Sequence, residues 1–209
     1  MTRRTPLALF VAVLALALTW AGSALSRSSE EREALSRISK NFSAARTMAG
    51  EFIQFGPRGR QTQGKFYLAR PGRIRFDYAA PATLQVRSDG RTVEVHNKKL
   101  KTSDYLPLSR TPLKMLLARR INPDDRSIRR VKVEADVTTV VLANRKMFGA
   151  AKVTLMFDNA TSDLKQWTIT DKQGKDTSVM IFNVQKNPRL SKRLFKVRKR
   201  SRRIQNSGR

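Results

Sequence analysis

The chain has 209 residues, 40% of them hydrophobic and 28% charged, with a formal net charge of +27, no cysteine and one histidine. That length suits one domain around one sizeable core and would cramp two. Without cysteine there are no disulfides, thiol nucleophiles or thiolate metal sites, and a lone His96 rules out multi-histidine metal centres, so little enzyme chemistry remains and no metal or cofactor is expected.

Residues 1–26 have the three parts of a secretory signal. Arg3 and Arg4 precede an uncharged apolar run from Leu7 to Ala21, and the small residues Gly22, Ser23, Ala24 and Ser26 follow. At about fifteen residues the run is shorter than the roughly 20 that a membrane-spanning helix needs, and no cysteine follows it to carry a lipid. Cleavage after Ala24 or Ser26 is expected to leave a soluble exported chain with a charge of +25. Such a charge draws a protein to nucleic acid or to anionic headgroups, and export makes the membrane surface the reachable partner.

Ser28 to Ala45 reads as an amphipathic helix: Leu35, Ile38, Phe42 and Ala45 recur at spacings of three and four, and Ser28 with Glu31 makes a capping box. From Met48 the period becomes two, which predicts strands at 48–56, 61–69, 72–79, 83–88, 91–97 and 99–103. In the third, Ile74, Phe76 and Tyr78 share one face while Arg73, Arg75 and Asp77 share the other. Pro71-Gly72 and Asp89-Gly90 mark turns. A short apolar helix is predicted from Thr111 to about Arg119, with Thr111 as its cap, Pro112 at the first helical position and Leu113, Leu116 and Leu117 on one edge.

Five further strands are predicted at 128–135, 137–144, 150–158, 163–171 and 176–185, and Leu194, Phe195 and Val197 are placed to pair as a terminal strand. The folded domain then spans 27–198, with 199–209 as a basic disordered tail. The fold class expected is mainly β (α+β): about eleven antiparallel strands in one continuous sheet, with helices lying on it. His96 is expected at a surface or edge position rather than as a catalytic base. Asp124-Asp125 fall in a loop, and Glu30, Glu31 and Glu33 open a helix, where acids favour the dipole. Met48 and Met115 read as filler.

The segments Gly50-Glu51-Phe52-Ile53-Gln54-Phe55, Gly64 through Tyr78, Pro81, Ser88-Asp89-Gly90, Thr111-Pro112-Leu113, Asp158 and Gln166-Trp167-Thr168-Ile169 stand in an order and spacing that resembles the outer-membrane lipoprotein carrier (LolA-like) family. The resemblance covers nearly all of the chain after the signal. It implies an incomplete antiparallel β-barrel with lid helices over a hydrophobic cavity that takes the acyl chains of lipoproteins. It further implies a non-enzymatic periplasmic chaperone, here expected to be a monomer. Such a chaperone moves lipoproteins from an inner-membrane ATP-driven release complex to the outer membrane, where an acceptor or the anionic membrane surface receives them. Arg70, immediately before Pro71, matches the arginine that latches the lid by hydrogen-bonding helix backbone in that family.

The candidate cavity wall is the set of alternate apolar strand positions Phe52, Phe66, Leu68, Ile74, Phe76, Leu84 and Val86, with Leu113, Leu116 and Leu117 from the lid. The same residue types would equally build a core between helix and sheet. Two rival functions stand beside the carrier. One is a sensor of lipoproteins or envelope stress on the same fold. The other is a nucleic-acid-binding protein using the basic tail and Arg129-Arg130, which lacks a recognisable reading module and conflicts with export.

Overall fold

The computed structural model describes residues 27–143 and 151–198. The export signal (1–26) and the basic tail (199–209) expected from sequence lie outside them. Helix α1 (Ser29–Ala44) begins at Ser28, whose side chain accepts from the Glu31 N–H while the Glu31 carboxylate accepts from the Ser28 N–H, as the capping box requires. Its buried stripe is Ala34, Leu35, Ile38 and Phe42.

Eleven strands follow in two runs. The first is β1 (Thr47–Phe55), β2 (Gln61–Ala69), β3 (Arg73–Tyr78), β4 (Leu84–Asp89), β5 (Thr92–Asn97) and β6 (Thr102–Pro107). The second is β7 (Ile128–Val133), β8 (Val137–Ala143), β9 (Lys152–Asp158), β10 (Leu164–Thr170) and β11 (Asp176–Lys186). They form one antiparallel sheet in the order β6-β5-β4-β3-β2-β1-β11-β10-β9-β8-β7. β6 and β7 are the two edges, so the curled sheet does not close into a barrel. The chain connects these edges through a 3-10 turn (Leu108–Arg110), the short helix α2 (Leu113–Leu116) and a loop that leads into β7.

Three local expectations are corrected. The predicted helix over 111–119 shrinks to α2, with Pro112 rather than Thr111 as the residue before it, because the Thr111 hydroxyl donates to the Leu108 carbonyl instead of capping. The predicted strand 99–103 moves to β6. Lys98–Lys101 form the turn, in which Asn97 Oδ1 accepts from the Lys99 and Leu100 N–H groups and Lys101 takes a φ of 53°.

The third correction concerns the C-terminal segment, which does not add a strand. It makes a 3-10 turn (Lys192–Phe195) and then crosses the outer face of β3, β4 and β5 as a strap. Phe195 is buried, with Arg73 stacked 5.8 Å from its ring centre. Arg75 donates to the Leu194 carbonyl and Arg87 to the Lys196 carbonyl, while the Arg198 N–H donates to the fully buried carboxylate of Glu94. Ser103 donates to the other Glu94 oxygen, and the guanidinium groups of Arg198 and Arg87 stand at 3.8 and 4.0 Å. His96 lies in the same covered region, with Nδ1 2.9 Å from the Thr102 carbonyl and 3.0 Å from Ser103 Oγ. It is buried rather than at the surface, because the strap and the β6 side chains close over that part of the outer face.

Candidate functional site

Because strand side chains alternate, the inner face of β1–β5 is a grid whose rows follow from the pairing register. Met48, Leu68, Ile74, Ser88 and Val93 make one row. Phe66, Phe76, Val86 and Val95 make the next. Phe52, Gly64, Tyr78, Leu84 and Asn97 make the third, and Gln54 and Thr62 begin a fourth. The other half of the sheet continues the apolar surface through Ile181, Val179, Trp167, Leu155 and Val140, all buried.

Helix α1 and α2 lie over this face and fill its lower part. Phe52, Phe66, Leu68, Ile74, Phe76, Leu116 and Leu117 are buried together with Leu35, Ile38 and Phe42 in one cluster, and Val86 and Leu113 pack against it. The candidate wall residues are thus brought together, with one exception: Leu84 is 38% exposed. Aromatic edges lock the cluster, Phe52 meeting Phe76 at 4.9 Å and Tyr78 at 5.0 Å between ring centres, both T-shaped. Gly64 stands between Phe52 and Tyr78 in their row, and its missing side chain lets the two rings touch across it. A Cβ there would collide with the Asp77 carbonyl.

Above the third row the face opens. A hollow of about 740 Å³ is bounded by Gln54, Thr62, Tyr78, Leu84 and Asn97, the upper members of the same inner-facing columns, and rimmed by Arg58 and Arg60 of the β1–β2 turn and Lys175 of the β10–β11 turn. Tyr78 is its floor: one side of the ring meets the filled core, and its hydroxyl donates to Gln54 at 2.6 Å. Burial pushes the Tyr78 pKa up to about 12, against a smaller opposing pull from the Gln54 bond, so the phenol stays protonated. Thr62 Oγ1 is buried without a hydrogen-bond partner among the described residues. The neighbouring β5–β6 turn carries Lys98, Lys99 and Lys101 around Leu100, which is 66% exposed.

At the opposite end of the face, α1 is fastened to the sheet by Arg70. This side chain is buried, donates from one terminal nitrogen to the Ala45 carbonyl at 2.7 Å, and stacks over the Phe42 ring at 3.7 Å. The last turn of α1 has no basic residue of its own, so Arg70, in the turn that follows β2, supplies the cation that a helix C-terminus favours. No carboxylate pairs with it among the described residues, and burial lowers its pKa to about 10, leaving it charged at neutral pH. The lid is tied down beside it. Gly72 donates to the Leu117 carbonyl at 2.9 Å, Ser39 to the Ile121 carbonyl at 2.5 Å, and Arg27 to the Pro123 carbonyl at 2.5 Å.

Sequence reasoning missed the upper members of the columns, Gln54, Thr62 and Asn97, and the cations Arg58, Arg60 and Lys175. Counting on by twos from Phe52, Phe66 and Val95 reaches the first three, and the turn residues between strands hold the rest. Among the described residues, no cluster of three or more His, Cys, Asp or Glu could hold a metal.

The architecture is that of a protein that encloses something apolar under a lid: an unclosed antiparallel sheet, an apolar concave face and helices fastened over it. A family model described as outer membrane lipoprotein carrier protein LolA matches residues 43–198, about three quarters of the sequence, and the chain belongs to that family. It is 25% identical over 197 residues to an outer-membrane lipoprotein carrier protein of Methylobacillus flagellatus, covering 90% of this chain and 92% of that one. A second protein of that description, from Methylococcus capsulatus, is 25% identical over 169 residues, covering 77% and 81%. An uncharacterised conserved protein of Thermus thermophilus shares the fold with a TM-score of 0.51 at 13% identity, over 81% of this chain and 95% of that one.

Proposed function

We propose that the chain is a periplasmic, monomeric carrier that takes the acyl chains of lipoproteins at an inner-membrane ATP-driven release complex, shields them on its inner face, and gives them up at the outer membrane. The observation that carries this reading is the inner face itself, apolar from β5 across to β8, covered by helices and open at one end. Its family membership supports the cargo class. At roughly 0.8 kcal/mol per methylene, three long acyl chains represent on the order of 30 kcal/mol of hydrophobic transfer, so they need cover to cross water. No reaction is assigned to the protein, and no cofactor.

Release is the harder requirement. A face filled by its own helices when empty must be emptied before cargo enters, and the free energy of that opening weakens the hold on cargo. Arg70 suits a latch for this equilibrium, since it grips the end of α1 from the sheet without a carboxylate to hold it elsewhere. Phe52, Phe66, Leu68, Ile74, Phe76, Val86, Leu113, Leu116 and Leu117 then change partners from helix to acyl chain, and Leu84 stands at the entrance. The tail 199–209 would hold the carrier near anionic headgroups, at up to about 1 kcal/mol per basic residue.

Purification from the periplasm without detergent, followed by mass spectrometry, is expected to find N-terminally acylated peptides bound. A folded protein carrying no acylated material would sink the reading. Arg70→Leu is expected to load normally and deliver poorly; normal delivery would remove Arg70 from the role. Deleting residues after Arg198 is expected to lower sedimentation with anionic liposomes at low salt, and equal binding would clear the tail of that part.

A further inference from the structure

The hollow above Tyr78 differs from the face below it in one chemical respect: it is lined by cations and no carboxylate. Arg58, Arg60 and Lys175 reach its rim from two separate turns, and among the described residues none of the three forms an ion pair. Asp176, the residue after Lys175, accepts from the Thr170 hydroxyl, and Asp171 across the turn accepts from the N–H groups of Lys175 and Gln173, which hold its pKa below the usual carboxylate range. Three cations free of ion pairs among the described residues, above an apolar floor, describe a place for an anionic group attached to a hydrocarbon chain.

We propose that this mouth binds the phosphate of an anionic acyl lipid, so that the carrier accepts phospholipid as well as protein-linked acyl chains. The inference rests on the reading of the inner face as an acyl cradle and adds a headgroup site to it. Guanidinium and ammonium groups at the rim match phosphate oxygens, and the columns running down from the hollow past Tyr78 lead a chain into the cradle. The volume of the hollow falls in the range of sites that hold small ligands.

Binding of three probes to the full-length mature protein, by calorimetry at low salt, tests it: dodecyl phosphate, dodecyl maltoside and inorganic phosphate. Dodecyl phosphate is expected to bind about tenfold more tightly than dodecyl maltoside, with the difference shrinking as salt rises. Inorganic phosphate, lacking the chain, is expected to bind about a hundredfold more weakly than dodecyl phosphate. The combined change Arg58→Glu, Arg60→Glu and Lys175→Glu, all at exposed turns, should abolish the preference for the phosphate while leaving dodecyl maltoside affinity unchanged. Equal binding of the two amphiphiles by the unaltered protein, or a preference that survives the charge reversal, overturns the headgroup site alone. Inorganic phosphate binding as tightly as dodecyl phosphate overturns the lipid part and leaves a free-anion site. Failure of both amphiphiles to bind overturns the acyl cradle as well, which separates the two failures.

Discussion

Two neighbouring rows on the inner face are made by the same strands, one pleat apart, and end in different states. In one row Phe66 and Phe76 are sealed in the core with Val86 packed against them, while Tyr78 and Leu84 in the row above border open space. The sheet geometry is common to both, so the difference lies in what each column carries next. Gln54, Thr62 and Asn97 continue the columns of Phe52, Phe66 and Val95 with polar side chains, whose burial under a helix would cost more than apolar contact returns. The helices therefore cover the face only as far as it is greasy, and a mouth remains where the residue type changes.

With the boundary placed there, substitutions should weaken as they pass from fully buried side chains to those that border the hollow. The largest effect is expected for Phe52→Ala, which removes a fully buried ring that touches both Phe76 and Tyr78: a loss of about 3–5 kcal/mol in denaturant unfolding. A loss under about 1 kcal/mol would mean that the aromatic cluster under the helices is already slack. Next comes the outer face, where Glu94→Ala strips the strap of its buried anchor and leaves Arg87 facing a vacancy; about 1–3 kcal/mol is expected. Faster trypsin cleavage after Arg193 and Lys196 should accompany it, and an unchanged cleavage rate would mean that Phe195 alone holds the strap. Tyr78→Phe keeps the ring against Phe52 and loses only the bond to Gln54, for about 0.5–1.5 kcal/mol.

Much of this was legible in the residues because it follows from local patterns. The period of two located ten of the eleven strands, Ser28 and Glu31 announced the start of α1, and Asp89-Gly90 the β4–β5 turn. Leu100 misled the reading of β6, since an apolar residue among lysines looks like a strand position, whereas the Asn97 side chain makes a turn there. The strap was illegible for a different reason. Arg73 stacks on Phe195, and Arg75 and Arg87 hold the carbonyls of its neighbours Leu194 and Lys196, all from more than a hundred residues away, and nothing local in Lys192–Phe195 reports them. For the same reason His96, expected at a surface or edge position, is covered, and so is Glu94 beside it on that face. At the site, Leu84 and Val86 are indistinguishable in sequence, two apolar residues on one face of one strand. Only the position of the lid makes one of them entrance and the other core.

That pair gives the sharpest expectation. Val86 packs against the buried cluster opposite Phe76, so Val86→Ala should cost about 1–2 kcal/mol, while Leu84→Ala, although it deletes a larger side chain, should stay within about 0.5 kcal/mol because much of Leu84 already meets water. The order inverts what side-chain size alone predicts, which makes it diagnostic. An acyl-chain probe should rank the same two variants the other way. A chain entering past Tyr78 runs against Leu84 first, so its loss removes apolar contact from the bound state with little change to the empty one, and affinity falls. Val86→Ala weakens the closed, helix-filled state too, which makes opening easier and offsets what the bound chain loses. Equal stability costs for the two variants would place Leu84 inside the core and close the mouth.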